Sequence, residues 1–182
     1  MSHRFNEKTI NRETIFEGKV ISLHVDEVEL PNGKTSKREI VKHPGAVAVI
    51  PILDNGKIIL VEQYRKALER TIVEIPAGKL EKGEEPENTA RRELEEETGY
   101  QCETLEHLIS FYTSPGFADE IIHLYLAKGL TKAEVPLAAD EDEFVDLLEV
   151  SIEEAEELVR TKKIYDAKTA YAVLYLKLQK GL

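Results

Sequence analysis

A run of acidic residues near the middle of the chain constrains this protein more than any other feature of its sequence. The segment Gly78 to Tyr100, GKLEKGEEPENTARRELEEETGY, contains eight glutamates in 23 residues. Pro86 suits the first turn of a helix, and Gly99 suits the left-handed position just after the last turn. We therefore predict a helix from about Pro86 to Thr98, which gathers many acids on one short element.

Three of these acids share one side of the predicted helix. At about 100° per residue, Glu93, Glu96 and Glu97 fall within an arc of about 100°. Glu93 and Glu97 are four residues apart, and like charges at this spacing cost roughly 0.2–0.5 kcal/mol even when exposed. Arg92 precedes Glu96 by four residues and can pair with it. The residues alone leave two interpretations, a solvated acidic face or carboxylates that converge on a hard cation such as Mg²⁺, Mn²⁺ or Ca²⁺.

The first part of the chain reads as strands. ISLHVDEVEL and KREIVKH both alternate apolar and polar residues around the turn PNGK, and predict a small antiparallel element within residues 13–43. AVAVIPIL and KIILVEQY flank Asp54-Asn55-Gly56 and predict a hairpin whose strands are buried on both faces. TIVEIPAG predicts a further strand that ends at Pro76.

The second part of the chain combines strands and helices. LEHLISFYTS, EIIHLYLAKG and FVDLLEV predict strands, the first two flanking the loop Pro115-Gly116-Phe117. SIEEAEELVR begins with a capping box, Ser151 and Glu154, and DAKTAYAVLYLKLQK predicts a last helix with a broad apolar face. The order of elements predicts an α/β fold with a mixed sheet and helices on both sides.

Composition excludes several classes of protein. The chain has 182 residues and a net charge of −11, and a surface of that sign repels a nucleic-acid backbone. No apolar stretch approaches the ~20 residues of a membrane-spanning helix. The single cysteine, Cys102, excludes an internal disulfide, fits a cytoplasmic protein and is expected to pack as an ordinary side chain.

The spacing of the acidic segment resembles the Nudix box, GX5EX7REUXEEXGU, in which U is a bulky aliphatic residue. The matching positions are Gly78, Glu84, Arg92, Glu93, Leu94, Glu96, Glu97 and Gly99. Tyr100 in place of the last aliphatic residue is the one soft departure. The resemblance implies a Nudix α/β/α sandwich around a mixed sheet, which hydrolyses a nucleoside diphosphate linked to another group.

The resemblance also implies a metal site on the box helix. Mg²⁺ is the expected ion, with Mn²⁺ as an alternative. The implied ligands are the side chains of Glu93, Glu97 and Glu96 and the backbone carbonyl of Ala77, and Glu96 is a catalytic candidate as well. Arg92 resembles the residue that orients the glutamates, and Glu84 resembles the one that braces the loop against the helix.

Shorter motifs resemble the ADP-ribose pyrophosphatase branch of the family. They are VEQYR, EIPAG, Pro115 at 16 residues after Gly99, and the acidic stretch ADEDEFVDLLEVS. They imply Mg²⁺-dependent hydrolysis of ADP-ribose to AMP and ribose 5-phosphate. A late carboxylate would act on the attacking water or a metal; the pattern indicates Glu143, with Glu141 as the alternative. Without the resemblance, this stretch is also consistent with plain solvated acid.

The branch further implies residues that hold the substrate and a homodimer. Residues 1–43 match its small dimerisation domain, and residues 44–182 form the catalytic domain. The implied substrate contacts are Arg38, Glu39, His43, Arg65, Ser114 and Gly116. Arg38 stands where relatives stack an aromatic ring on adenine. Arg65 is otherwise an ordinary arginine at a strand end, and His43 is otherwise a turn residue.

Other functions remain open on the sequence alone. Another ADP-sugar or NADH would use the same chemistry, although the Cys₄ zinc ribbon that often accompanies NADH hydrolysis is absent. A Nudix domain that senses ADP-ribose without catalysis is the alternative from a different class. The intact acids of the box favour an enzyme over such a sensor.

Overall fold

The computed structural model describes residues 4–135, 137–138 and 144–181. The chain divides into two compact units. The first runs to Gly45 and includes Phe111–Ile121, and the second consists of Ala46–Ser110 and the chain from Ile122 onward.

The first unit contains a three-stranded antiparallel sheet. Its strands are β1, Lys8–Glu17, β2, Ser22–Glu29, and β3, Thr35–Lys42, in that order. The predicted turn between β2 and β3 is present, with Gly33 at a φ of 78° that favours glycine. β1 begins at Lys8, earlier than the predicted strand region, which starts at residue 13. The prediction missed this start because KTINRETIFE is mostly polar and gives no strong strand signal. Every residue of β1 is exposed.

A four-stranded mixed sheet lies at the centre of the second unit. The strands are β4, Ala46–Pro51, β7, Ala77–Lys79, β8, Tyr100–Tyr112, and β9, Ile121–Lys132, in the order β7-β4-β9-β8. β4 runs parallel to β9 and antiparallel to β7, and all six of its residues are buried. The mixed sheet predicted from the order of elements is confirmed.

A second antiparallel sheet has the order β10-β5-β6. Its strands are β5, Ile58–Arg65, β6, Arg70–Glu74, and β10, Val145–Val150, and a single 3₁₀ turn, Lys66–Leu68, joins β5 to β6. The predicted hairpin of β4 and β5 is wrong in its pairing. Its turn forms, with a hydrogen bond from Leu53 N to Lys57 O at 2.9 Å and a bridge between Ile52 and Ile58, but β4 and β5 belong to different sheets. Each strand is an interior strand of its own sheet, so both of its edges are paired with other strands.

Three helices complete the described structure. The predicted bounds of the acidic helix are confirmed: α1 is Pro86–Thr98, and Gly99 follows in the left-handed conformation. Ala90 and Leu94 pack against Val47, Val49 and Tyr125 of the mixed sheet, which fixes which side of α1 faces the core. α2, Ile152–Arg160, has the predicted capping box, and α3, Ala167–Gln179, is capped by Asp166. None of the helices among the described residues is long and apolar enough to cross a membrane.

Candidate active site

Arg92 is the centre of an ion-pair network on the exposed side of α1. Its Nη1 donates to Glu96 at 2.7 Å and to Glu93 at 2.9 Å, and its Nε and Nη2 donate to Glu84 at 3.3 and 3.2 Å. The predicted pairing of Arg92 with Glu96 is therefore confirmed. Burial opposes its charge, but the hydrogen bonds to Glu84 and Glu96 outweigh this and raise the pKa of the guanidinium. The same bond to Arg92 lowers the pKa of Glu84.

Glu93 occupies a space that only a glycine leaves open. Its side chain is 8% exposed and lies directly over Gly78 of β7. A Cβ atom built on Gly78 would stand 1.9 Å from Cδ of Glu93, far inside van der Waals contact. The first residue of the box therefore has a steric role, because it lets the carboxylate approach the strand.

The backbone of β7 holds the side chain of Glu97 by a hydrogen bond. Ala77 N donates to Glu97 Oε2 at 2.9 Å, and Glu97 is 4% exposed. Pro76, one residue earlier, accepts a hydrogen bond from Val49 N of β4 at 2.9 Å. Glu97 therefore lies beside the backbone N–H of Ala77, and the Ala77 carbonyl as a metal ligand stays a prediction.

This arrangement suits a magnesium ion. No group of three or more His, Cys, Asp or Glu side chains in the described part of the chain is arranged to enclose a metal by itself. Mg²⁺ does not require such a cage, because it usually takes one or two carboxylates and fills its remaining positions with water and substrate phosphate. Two buried carboxylates beside a backbone peptide supply the hard oxygen donors that it prefers.

Arg65, the predicted diphosphate contact, belongs to a second network in the same unit. Its Nε donates to Glu74 Oε2 at 2.5 Å, and its side chain is 39% exposed. Glu74 also accepts from the ammonium of Lys168, and both are buried. Glu74 and Lys168 were not among the predicted site residues. The available signal was Glu74 itself, an acid inside the apolar strand sequence TIVEIP.

The predicted adenosine contacts lie in the first unit. Arg38 forms a bidentate ion pair with Glu7, at 2.8 Å from Nε and 2.6 Å from Nη2. Glu39 is exposed and follows Arg38 on β3, so the two side chains point to opposite faces of the sheet. One face of this strand therefore does not present both residues.

His43 and the residues Ser114 and Gly116 lie in the first unit too. Gly45 N donates to His43 Nδ1 at 3.1 Å, which is the contact expected of a turn residue. His43 N donates to Asp119 Oδ1 at 2.9 Å, within the segment that also holds Ser114 and Gly116. The carbonyl of Ser114 accepts from Phe117 N and Ala118 N, so Gly116 sits at an exposed turn.

The two candidates for the late carboxylate, Glu143 and Glu141, lie outside the described residues. Their roles, like those of the predicted metal ligands and substrate contacts, stay predictions.

Comparisons with known proteins agree with the box. The NUDIX domain family matches residues 42–172, and the nucleoside diphosphate sugar hydrolase N-terminal domain matches residues 7–41. A crystal structure described as an ADP compounds hydrolase superposes with a TM-score of 0.83 at 22% identity, covering 96% of this chain and 93% of that one. This likeness supports the α/β fold.

Two curated relatives are similar along nearly their whole length. A methanol dehydrogenase activator from Bacillus methanolicus is 66% identical over 100% of this chain and 98% of its own. An ADP-ribose pyrophosphatase from Bacillus subtilis (strain 168) is 65% identical over 97% of this chain and 95% of its own.

Proposed function

Since the chain belongs to the Nudix family, we propose that it hydrolyses the pyrophosphate of ADP-ribose to AMP and ribose 5-phosphate. The observation that carries the proposal is the buried pair Glu93 and Glu97 on an intact box helix, held next to the peptide of Ala77. The 65% identity to an ADP-ribose pyrophosphatase supports this choice of substrate.

The metal site follows from the same residues. Glu93, Glu97, Glu96 and the carbonyl of Ala77 would hold Mg²⁺, with Mn²⁺ as a substitute. When bound, the ion would neutralise the charge that develops on the diphosphate. The protein orients these ligands. Gly78 leaves room for the side chain of Glu93, and Arg92 forms hydrogen bonds to Glu96, Glu93 and Glu84.

Positioning of the substrate is assigned to cations and backbone groups. The exposed end of the Arg65 guanidinium binds the diphosphate, since a planar fork of N–H donors matches two phosphate oxygens. The backbone of Ser114 and Gly116 contacts the terminal ribose. Glu143, or else Glu141, accepts the proton of the attacking water.

A homodimer completes the proposal. β1 is an edge strand whose residues are all exposed, including Ile10, Ile15 and Phe16, each more than half accessible. An exposed edge strand carrying apolar residues is a surface that proteins usually cover. A second copy would cover it, and Arg38, His43 and, from the opposite face of β3, Glu39 stay the proposed adenosine contacts. Light scattering at micromolar concentration tests this, and a monomeric mass contradicts it.

The first experiment is to incubate the pure protein with ADP-ribose and Mg²⁺ and to separate the nucleotides. AMP and ribose 5-phosphate should appear with metal, and neither should appear with EDTA. Without turnover of ADP-ribose, the same assay on other ADP-sugars and NADH decides whether the substrate or the catalysis is wrong. No turnover of any of them, combined with binding of ADP-ribose, indicates a sensor.

A second candidate function is suggested by the relative from Bacillus methanolicus, which is named for activating methanol dehydrogenase and is 66% identical. In this role the chain would increase the rate of a methanol dehydrogenase. The test adds this protein, or its Glu97→Gln variant, to purified methanol dehydrogenase with Mg²⁺ and follows the oxidation of methanol. A rate that rises with the wild type and not with the variant supports activation by hydrolysis, and an unchanged rate removes this candidate.

A further inference from the structure

Four charged side chains form a line from the first turn of α3 to the end of β5. Asp166 Oδ1 accepts from Lys168 Nζ at 3.0 Å, Lys168 donates to Glu74 Oε1, and Arg65 donates to Glu74 Oε2 at 2.5 Å. The signs alternate along the line. Its two central members are buried, and Arg65 forms its exposed end.

Lys168 is the buried partner of the Glu74 carboxylate in this line. The side chains of Glu74 and Lys168 are 4% and 9% exposed, so water cannot replace either partner. A buried ion that loses its partner is strongly destabilised, so removal of Lys168 would displace the Glu74 carboxylate. With one cation on each oxygen, the plane of the Glu74 carboxylate is fixed.

The fixed carboxylate in turn orients Arg65. The bond to Glu74 uses Nε, so it fixes the rotation of the guanidinium about its long axis. Within the described residues, the two Nη groups make no other hydrogen bond and stand at the accessible end of the side chain. An arginine held by Nε presents both Nη groups as a fork toward a bidentate anion.

The same turn of α3 also holds the segment between β6 and β7, which leads to the proposed metal site. Thr169, adjacent to Lys168, accepts a hydrogen bond from Ile75 N at 3.0 Å and is fully buried. Ile75 lies two residues before Ala77. The first turn of α3 therefore contacts Glu74, which holds Arg65. It also contacts the segment that leads to Ala77, whose carbonyl is a predicted metal ligand.

We propose that Lys168 is a positioning residue for hydrolysis, which acts through Glu74 to hold the guanidinium of Arg65 in the orientation that binds the diphosphate. The inference rests on the proposed function of Arg65. Lys168 touches neither substrate nor metal, and its effect on the reaction passes through Arg65.

A double-mutant cycle on the full chain tests this route. Lys168→Met should lower kcat/KM for ADP-ribose about tenfold, mainly through a higher KM, because partners that orient a functional group typically cost 10–100-fold. In an Arg65→Ala background the same substitution should change kcat/KM less than about twofold, since the group it orients is gone. An equal loss in both backgrounds would mean a general structural effect and would overturn the proposal.

Two further variants keep the cycle interpretable. Lys177→Met removes an ion pair with Glu156 from the same helix, and kcat/KM should remain within about twofold of wild type. If Lys168→Met does not fold, Glu74→Gln takes its place, because it keeps the shape and removes the charge that holds Arg65. It should show the same dependence on the Arg65 background, and equal losses would again overturn the proposal.

A spectroscopic measurement separates this inference from the proposed activity. In ¹H–¹⁵N spectra, the Nε–H of Arg65 should exchange slowly with water in the wild type and markedly faster in Lys168→Met. This holds whether or not ADP-ribose is the substrate. Lack of turnover by the wild type would refute the proposed function alone, whereas unchanged protection of the Arg65 Nε–H would refute the positioning role.

Discussion

Replacing Gly78 by alanine isolates the steric requirement of the site. The backbone of Gly78 is not among those with positive φ, so alanine meets no conformational penalty there. The added methyl group would stand 1.9 Å from Cδ and 2.0 Å from Oε1 of Glu93. An ordinary contact needs about 3.4–4 Å, so the carboxylate must retreat by about 1.5 Å or more.

The size of the effect follows from this displacement. A shift of about 1 Å in a group that positions the reaction costs on the order of 100-fold in rate, and we expect at least this loss in kcat/KM for ADP-ribose. Overpacking a well-filled site costs about 1–3 kcal/mol, which should appear as a lower free energy of unfolding. The assays are Mg²⁺-dependent AMP release and urea denaturation followed by circular dichroism.

Glu93, the side chain that the added methyl group would meet, provides the control. In a Glu93→Ala background the carboxylate is absent, so Gly78→Ala should no longer reduce the free energy of unfolding. Wild-type stability and kcat/KM in the single variant would refute the steric argument. The same unfolding cost with and without the Glu93 side chain would place the problem elsewhere in β7.

Three further predictions concern separate interactions. Glu97→Gln should reduce AMP release at least 100-fold with little change in melting temperature, because the amide oxygen can still accept from Ala77 N; near wild-type turnover would contradict its role as a ligand. The hydrogen bond from Arg12 lowers the pKa of Asp26, so Asp26→Asn should reduce thermal stability at pH 7, and this difference should shrink as the pH falls below ~4 and the wild-type carboxylate is protonated. A difference that does not shrink at all as the pH falls below this range would contradict this origin. Ser151→Ala removes the cap of α2 and should lower the urea-derived free energy of unfolding by about 1 kcal/mol, whereas no change would show that the cap is dispensable.

Local signals predicted the box helix accurately. Pro86 and Gly99 mark the two ends of α1 at the predicted residues, and the four-residue spacing of Arg92 and Glu96 gives the predicted ion pair. The capping box of Ser151 is confirmed for the same reason. In each case the interacting groups lie within one or two turns of the same element, where backbone geometry fixes their relation.

Pairing between distant segments was not accessible in the same way. The sequence around Asp54-Asn55-Gly56 encodes the turn, and the turn forms, but β4 and β5 join different sheets. Their near-continuous hydrophobicity was interpreted as burial on both faces, which holds for all of β4 and for the first four residues of β5. The same property makes each strand suitable as a central strand, and the choice of neighbours then depends on segments far along the chain.

The ion-pair line through Glu74 shows what a motif leaves out. Glu74 and Lys168 are 94 residues apart, so no spacing rule connects them. An acid inside a buried strand nevertheless demands a cation, because its desolvation must be offset. The nearby Arg65 offsets this cost only in part, because its side chain is 39% exposed and it donates to only one of the two oxygens of Glu74. The second oxygen requires a buried cation from another element, and α3 supplies it at the turn where Thr169 also holds Ile75. Lys168 of α3 therefore neutralises a buried carboxylate at a position where an apolar side chain would otherwise fit the core.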